Sequence, residues 1–220
     1  LRRDEPAGGC GVRKSQIQGV YPCSSLQEGL VASSRQQPGA YVARNVFELP
    51  LRIDLDRFKL AWQKTVDQVD ILRSRIVNAQ SLKSYQAVLV PHDIDWEYYD
   101  SLELECANNK IRSVPEQNGG VLARYAIVNS VDSDSRYFIW TVHHSLYDAW
   151  SMPSLLKLVS QLYYKDGTQD LEPSIPYANF IEYLAKVDAQ ASDEFWKTRF
   201  QNASLVSHFP TISSITGAES

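Results

Sequence analysis

The sequence predicts an α/β fold in which strands and helices alternate around a buried central strand. Three observations carry this expectation. Segment 136–142 holds Tyr137, Phe138, Ile139, Trp140 and Val142, apolar on both sides as a strand covered on both faces requires. Behind Asp54, the residues Leu55, Phe58, Leu60, Ala61, Trp62, Val66 and Val69 recur at helical spacing with charges between them. Strands and helices follow one another without a Gly-rich phosphate loop, an internal repeat or a low-complexity tract. At 220 residues, the chain can form one domain with a sizeable core or two small ones.

Residues 1–15 are polar and contain Gly8, Gly9 and Gly11, so they read as a linker. A helix is expected from Ser25, where Ser25 and Glu28 form a capping-box pattern, to the stop at Gln36-Gln37-Pro38-Gly39. Segment 41–49 reads as a strand through Tyr41, Val42, Val46 and Phe47. The Asp54 helix follows, then strands at 71–79 and 85–90, the second ended by Pro91. A short strand is expected within 93–100, and a helix over 102–114 stopped by Pro115. Segments 121–128 and 136–142 are strands joined by a polar turn. Helices are expected at 149–164, 177–189 and 192–202, and residues 203–220 break off without a terminating element.

Composition narrows the function classes. A net charge of −4 gives no electrostatic reason to expect nucleic acid or an anionic membrane as partner. No apolar run reaches the roughly 18 residues a membrane span needs. The charged start, Leu1-Arg2-Arg3-Asp4-Glu5-Pro6, does not read as a secretory signal, and the missing initiator Met suggests a piece of a longer protein. Cys10, Cys23 and Cys106, odd in number and without a C-x-x-C pair, point to reduced thiols in a cytoplasmic protein.

The chemistry concentrates where segment 136–142 ends. His143 and His144 are adjacent there, with Asp148 four residues beyond the second and Ser151 three further. Successive strand residues point to opposite faces, so one imidazole is expected in a cleft and the other in packing. Imidazole suits proton transfer near neutral pH, its ordinary pKa being about 6.5. The pattern His-His-x3-Asp also contains metal-ligand types, but adjacent strand residues diverge and there is no second His/Cys cluster, so no metal is expected. His92 and His208 are isolated.

The run His143-His144-Ser145-Leu146-Tyr147-Asp148-Ala149-Trp150-Ser151 closely resembles the H-H-x-x-x-D-G-x-S signature of condensation domains of nonribosomal peptide synthetases. Tyr21-Pro22-Cys23-Ser24-Ser25-Leu26-Gln27-Glu28-Gly29-Leu30 resembles the opening motif of these domains in its fungal form. Asp70-Ile71-Leu72-Arg73-Ser74-Arg75 is similar to the second half of R-H-E-x-L-R-T, and Glu194-Phe195-Trp196-Lys197 to the helix closing the N-terminal lobe. Gln68 departs from the first Arg of the second motif, and Ala149 from the Gly after Asp148.

The resemblance implies an α+β two-layer sandwich: a chloramphenicol-acetyltransferase-like lobe with a mixed sheet flanked by helices, over residues 16–202. Residues 203–220 would then cross toward a second, C-terminal lobe. It also implies amide-bond formation between a thioester donor and an amine acceptor, both carried on phosphopantetheine arms of partner carrier domains, with no cofactor bound directly. Carrier and adenylation domains of the same synthetase are the implied partners, and a siderophore or cyclic peptide the kind of product. His144 is the expected catalytic residue, as a base or as a hydrogen-bond donor to the tetrahedral intermediate, with His143 in support. Asp148 is expected to form a buried ion pair with Arg73, whose disruption would cost roughly 3–5 kcal/mol. Ala149 is expected at a helix start where its N–H could meet an oxyanion, and Ser151 as a helix-start hydrogen-bonding residue. The alternatives are a macrocyclising terminal domain, an epimerisation domain, a coenzyme A-dependent acyltransferase and a noncatalytic docking scaffold.

Overall fold

The computed structural model describes residues 11–78, 84–103, 118–130, 135–164 and 175–201. The chain divides into two compact units, Leu1–Leu184 and Ala185–Ser220. The first ten residues of the expected linker, the 102–114 helix from 104 onward and the crossing segment lie outside the described residues.

Unit one contains a three-stranded antiparallel sheet ordered β1 (Ile17–Pro22), β4 (Ser84–Leu89), β3 (Ser74–Asn78). A four-stranded sheet is ordered β2 (Val42–Leu49), β7 (Ser135–His143), β6 (Ala123–Ser130), β5 (Trp96–Tyr99). It is mixed: β5 runs parallel to β6 and the other neighbours are antiparallel. β7 is central, as its sequence predicts. Phe138, Trp140 and Val142 face the main core, and Ile139 faces a second cluster with Ala126 and Val128. Both sides of the strand are therefore dry, which explains why it lacks the polar–apolar alternation of a half-exposed strand.

Helix α2 (Leu55–Gln68) supplies the aromatic mass over this sheet. Trp62 is 1% exposed, with its ring 5.1 Å from both Phe138 and Trp140 and 5.5 Å from Tyr125. Phe58 adds an edge contact to Phe138 at 5.2 Å. Burying a side chain of this size contributes on the order of 1.5–3 kcal/mol. The helix starts where predicted because the Asp54 side chain accepts from Arg57 N–H at 3.0 Å. Helix α3 (Ser151–Tyr164) packs beside it through Leu155, Val159 and Leu162.

Several boundaries differ from expectation, each for a local reason. Helix α1 (Ser25–Gln36) is capped by Ser24 with Gln27, one residue before the predicted Ser25–Glu28 box. The Glu28 carboxylate is engaged elsewhere, accepting from Ser84 N–H at 3.0 Å. The predicted strand at 71–79 begins only at Ser74. Asp70–Arg73 form a short 3-10 helix, because the Arg73 guanidinium turns inward to bind carbonyls at the end of α2. Helix α3 starts at Ser151, not Ala149, and helix α4 (Tyr177–Lys186) ends three residues short. Helix α5 (Ala189–Phe200) begins early because Asp188 accepts from Gln190 and Ala191 N–H, both at 3.0 Å.

Candidate active site

The double histidine sits where β7 is gripped from both sides. His143 N–H donates to Leu122 O at 2.8 Å, and His144 N–H donates to Tyr41 O at 2.8 Å. Tyr41 itself has φ 58, a left-handed conformation uncommon for a bulky residue, reached through the turn after Gly39 (φ 84). The backbone of both histidines is thus part of the sheet's hydrogen bonding, not of a free loop.

The two imidazoles diverge as the pleat requires. His143 is fully buried. Its Nδ1 accepts from Ser145 N–H at 3.1 Å, and the Ser145 hydroxyl lies 2.7 Å from the same nitrogen. An N–H can only donate, so Nδ1 is bare and Nε2 carries the proton, donating to Ser34 Oγ at 2.7 Å. Burial, reinforced by the neighbouring His144, lowers the His143 pKa to about 4, so the ring is neutral at ordinary pH.

His144 is half-buried. Its Nδ1 lies 2.9 Å from Tyr147 O, and its ring stacks on Tyr147 with centroids 4.8 Å apart and planes 8° from parallel. A carbonyl only accepts, so Nδ1 carries a proton, and of the two neutral tautomers the contact selects the one with its lone pair on Nε2. His144 lines a cavity of about 180 Å³, together with Leu26, Leu30, Ile71, Tyr147, Asp148 and Tyr177 among others. The walls are largely apolar, and their titratable groups are the His144 imidazole, the Asp148 carboxylate and the Tyr147 and Tyr177 phenols.

Asp148 does not form the expected ion pair with Arg73. It is exposed, and its Oδ1 accepts from Ser151 N–H at 2.7 Å and Trp150 N–H at 3.1 Å. Ser151 Oγ in turn accepts from Asp148 N–H at 2.9 Å. The pair forms a reciprocal cap on α3, and these donors, Ser151 foremost, hold the Asp148 carboxyl below its usual range. Arg73, 5% exposed, spends its donors on Val66 O at 2.9 Å, Asp67 O at 3.1 Å, Gln18 Oε1 at 2.9 Å and Leu89 O. The two charges serve different helices: Asp148 starts α3 and Arg73 ends α2. Ala149 is exposed in the turn ahead of α3, so it does not stand on the helix as expected, and Trp150 beside it is 88% exposed.

The structure brings in residues that sequence reasoning left out. Ser34, Gln27, Gln86 and Ser145 are all at most 5% exposed and surround the histidines or their loop. Their signal was faint: Gln27 lay inside a quoted motif, and Gln86 is a polar residue in an otherwise β-forming run. Among the described residues, no group of three or more His, Cys, Asp or Glu is placed to hold a metal ion. Among the same residues, no helix is long and apolar enough to cross a membrane.

The family model for the condensation domain matches residues 17–217. A nonribosomal peptide synthetase 4 of Gibberella zeae is 66% identical over 208 residues, covering 94% of this chain and 3% of that protein. Nonribosomal peptide synthetase 1 of Aspergillus fumigatus is 44% identical over 207 residues, with 94% and 3% covered. Among solved structures, the starter condensation domain of rhizomide synthetase RzmA superposes with TM-score 0.66 at 17% identity, over 85% of this chain and 49% of that one. A protein described as CT gives TM-score 0.66 at 18% identity, over 84% and 43%. The chain thus spans under half of these solved chains and a small part of the curated relatives.

Proposed function

Because this chain belongs to the condensation domain family, we propose that it carries the histidine half of an amide-forming acyl-transfer site within a fungal nonribosomal peptide synthetase. The amine of one carrier-tethered substrate attacks the thioester carbonyl of another. The C–N bond forms, the C–S bond breaks, the donor carrier's phosphopantetheine leaves as a thiol, and the amine gives up one proton. His144 is the catalytic residue, receiving that proton on Nε2 or hydrogen-bonding the tetrahedral intermediate.

One observation supports this most directly: the Tyr147 carbonyl holds the His144 proton on Nδ1, which leaves Nε2 as the acceptor in a ring that lines the cavity. Asp148 is not needed as the orienting carboxylate of a triad, because the Tyr147 carbonyl does that work. A thioester is already activated, so orientation of two tethered reactants supplies much of the rate. The substrates arrive on carrier domains, an adenylation domain of the same synthetase would load them, and the setting is cytoplasmic. The chain alone, spanning less than half of the solved domains, is expected to form no product.

The test is product formation from carrier-loaded substrates by the full-length synthetase, compared with His144→Ala. A loss of at least 100-fold is expected, since general acid–base groups contribute about 100- to 10,000-fold. Wild-type turnover in the variant refutes the assignment.

A further inference from the structure

We propose that Gln27 is a positioning residue for His144: its side-chain amide ties the three-stranded sheet to the turn that carries the imidazole. This rests on the catalytic reading of His144 given above. It also gives a physical role to the opening segment 21–30, which the reaction as described leaves unused.

Gln27 is 3% exposed, and its amide is used at every bond. Oε1 accepts from Ser24 N–H at 3.0 Å and from Ser24 Oγ at 3.4 Å. Nε2 donates to Gln86 Oε1 at 3.2 Å and to Ser145 O at 3.0 Å. Gln86, fully buried on β4, passes the chain on by donating to Pro22 O at 3.2 Å. The amide has one possible orientation. Ser24 N–H can only donate and Ser145 O can only accept, so a flipped amide would set N–H against N–H and oxygen against oxygen.

Ser145 is therefore held at three points: its carbonyl by Gln27, its N–H and hydroxyl by His143. Ser34, seven residues after Gln27 and so on the same face of α1, takes the other side of the His143 ring. Helix α1 grips the turn twice, once through Ser145 and once through His143. Between these grips, residues 145–147 have little freedom, and Tyr147 O stays where it fixes the His144 proton on Nδ1. Losing the Gln27 bond frees the Ser145 peptide plane and lets the imidazole sample the wrong tautomer and tilt. Gln27 touches no reacting atom in this account; it acts through Ser145.

The experiment uses the full-length synthetase with carrier-loaded substrates, comparing wild type, Gln27→Met, Gln86→Met and His144→Ala, with rates normalised to folded enzyme by thermal melting. For Gln27→Met the expected result is a kcat lowered about 10- to 100-fold with KM for the carrier-bound acceptor unchanged. Gln86→Met, which removes one bond to Gln27 and spares that to Ser145, should fall between wild type and Gln27→Met. If Gln27→Met does not fold, Gln86→Met decides: reduced kcat at constant KM supports the proposal, and wild-type kcat overturns it. Wild-type kcat in folded Gln27→Met also overturns it, as does a loss of activity matched by the loss of folded protein. An inactive His144→Ala beside a fully active Gln27→Met would remove the positioning role and leave the catalytic one. A fully active His144→Ala would remove both.

Discussion

Lowering the pH from 7 to 5 should cost the chain about 2 kcal/mol of folding stability through His143 alone. The ring is fully buried between Ser34 and Ser145, and burial holds its folded pKa near 4 against about 6.5 for the exposed residue. Above pH 6.5 both states carry a neutral ring and nothing is lost. Between 6.5 and 4 the unfolded chain takes up a proton that the folded chain refuses, so stability falls as pH falls. Linkage gives about 2 kcal/mol lost by pH 5 and about 3 kcal/mol by pH 4. Urea denaturation at pH 7, 6 and 5 measures this, with His143→Gln as the non-titrating reference. The variant starts less stable, but the difference between the two proteins should shrink by about 2 kcal/mol from pH 7 to pH 5. A difference that stays constant over that range would show that His143 is not held neutral by its surroundings, and would refute the tautomer argument with it.

Two further substitutions check the rest of the structure. Asp148→Ala should cost about 1 kcal/mol, the value of a lost helix cap, against the roughly 3–5 kcal/mol of a broken buried ion pair. Chemical denaturation separates the two, and a cost above 3 kcal/mol would restore the Arg73 partnership. Trp62→Ala should cost about 3–5 kcal/mol, because its ring is surrounded by Tyr125, Phe138 and Trp140. Near-UV circular dichroism should lose intensity in the same variant, and an unchanged melting midpoint would contradict the aromatic core.

What could be read from the sequence followed from how local the cause was. The α2 periodicity and the two-faced apolarity of β7 are written in consecutive residues, and both elements stand within two residues of the expected bounds. The α1 box could not be placed because Ser24–Gln27 and Ser25–Glu28 both fit the pattern, and a distant residue, Ser84, decides between them. Ile71-Leu72 look like the start of a strand, and only the inward turn of Arg73 makes them a 3-10 helix. The pleat alone set the two histidines on different faces. The polar residues around them were invisible because burial of a Ser or Gln is a tertiary fact with no periodic signature. The Arg73–Asp148 pairing came from resemblance and not from spacing, and the geometry did not support it.

The unusual backbone of Tyr41 has a consequence for how such a site can diversify. By offering its carbonyl to His144 N–H, this one left-handed residue extends the β2–β7 ladder one step past its natural end. The amide of His144 should then exchange with solvent as slowly as those of the strand interior, since it opens only when the sheet does. Around this slow point the rim is exposed, at Leu26 (70%) and Trp150 (88%). Substitutions can therefore accumulate at the rim and reshape what enters, while the imidazole keeps its place in the lattice of the sheet.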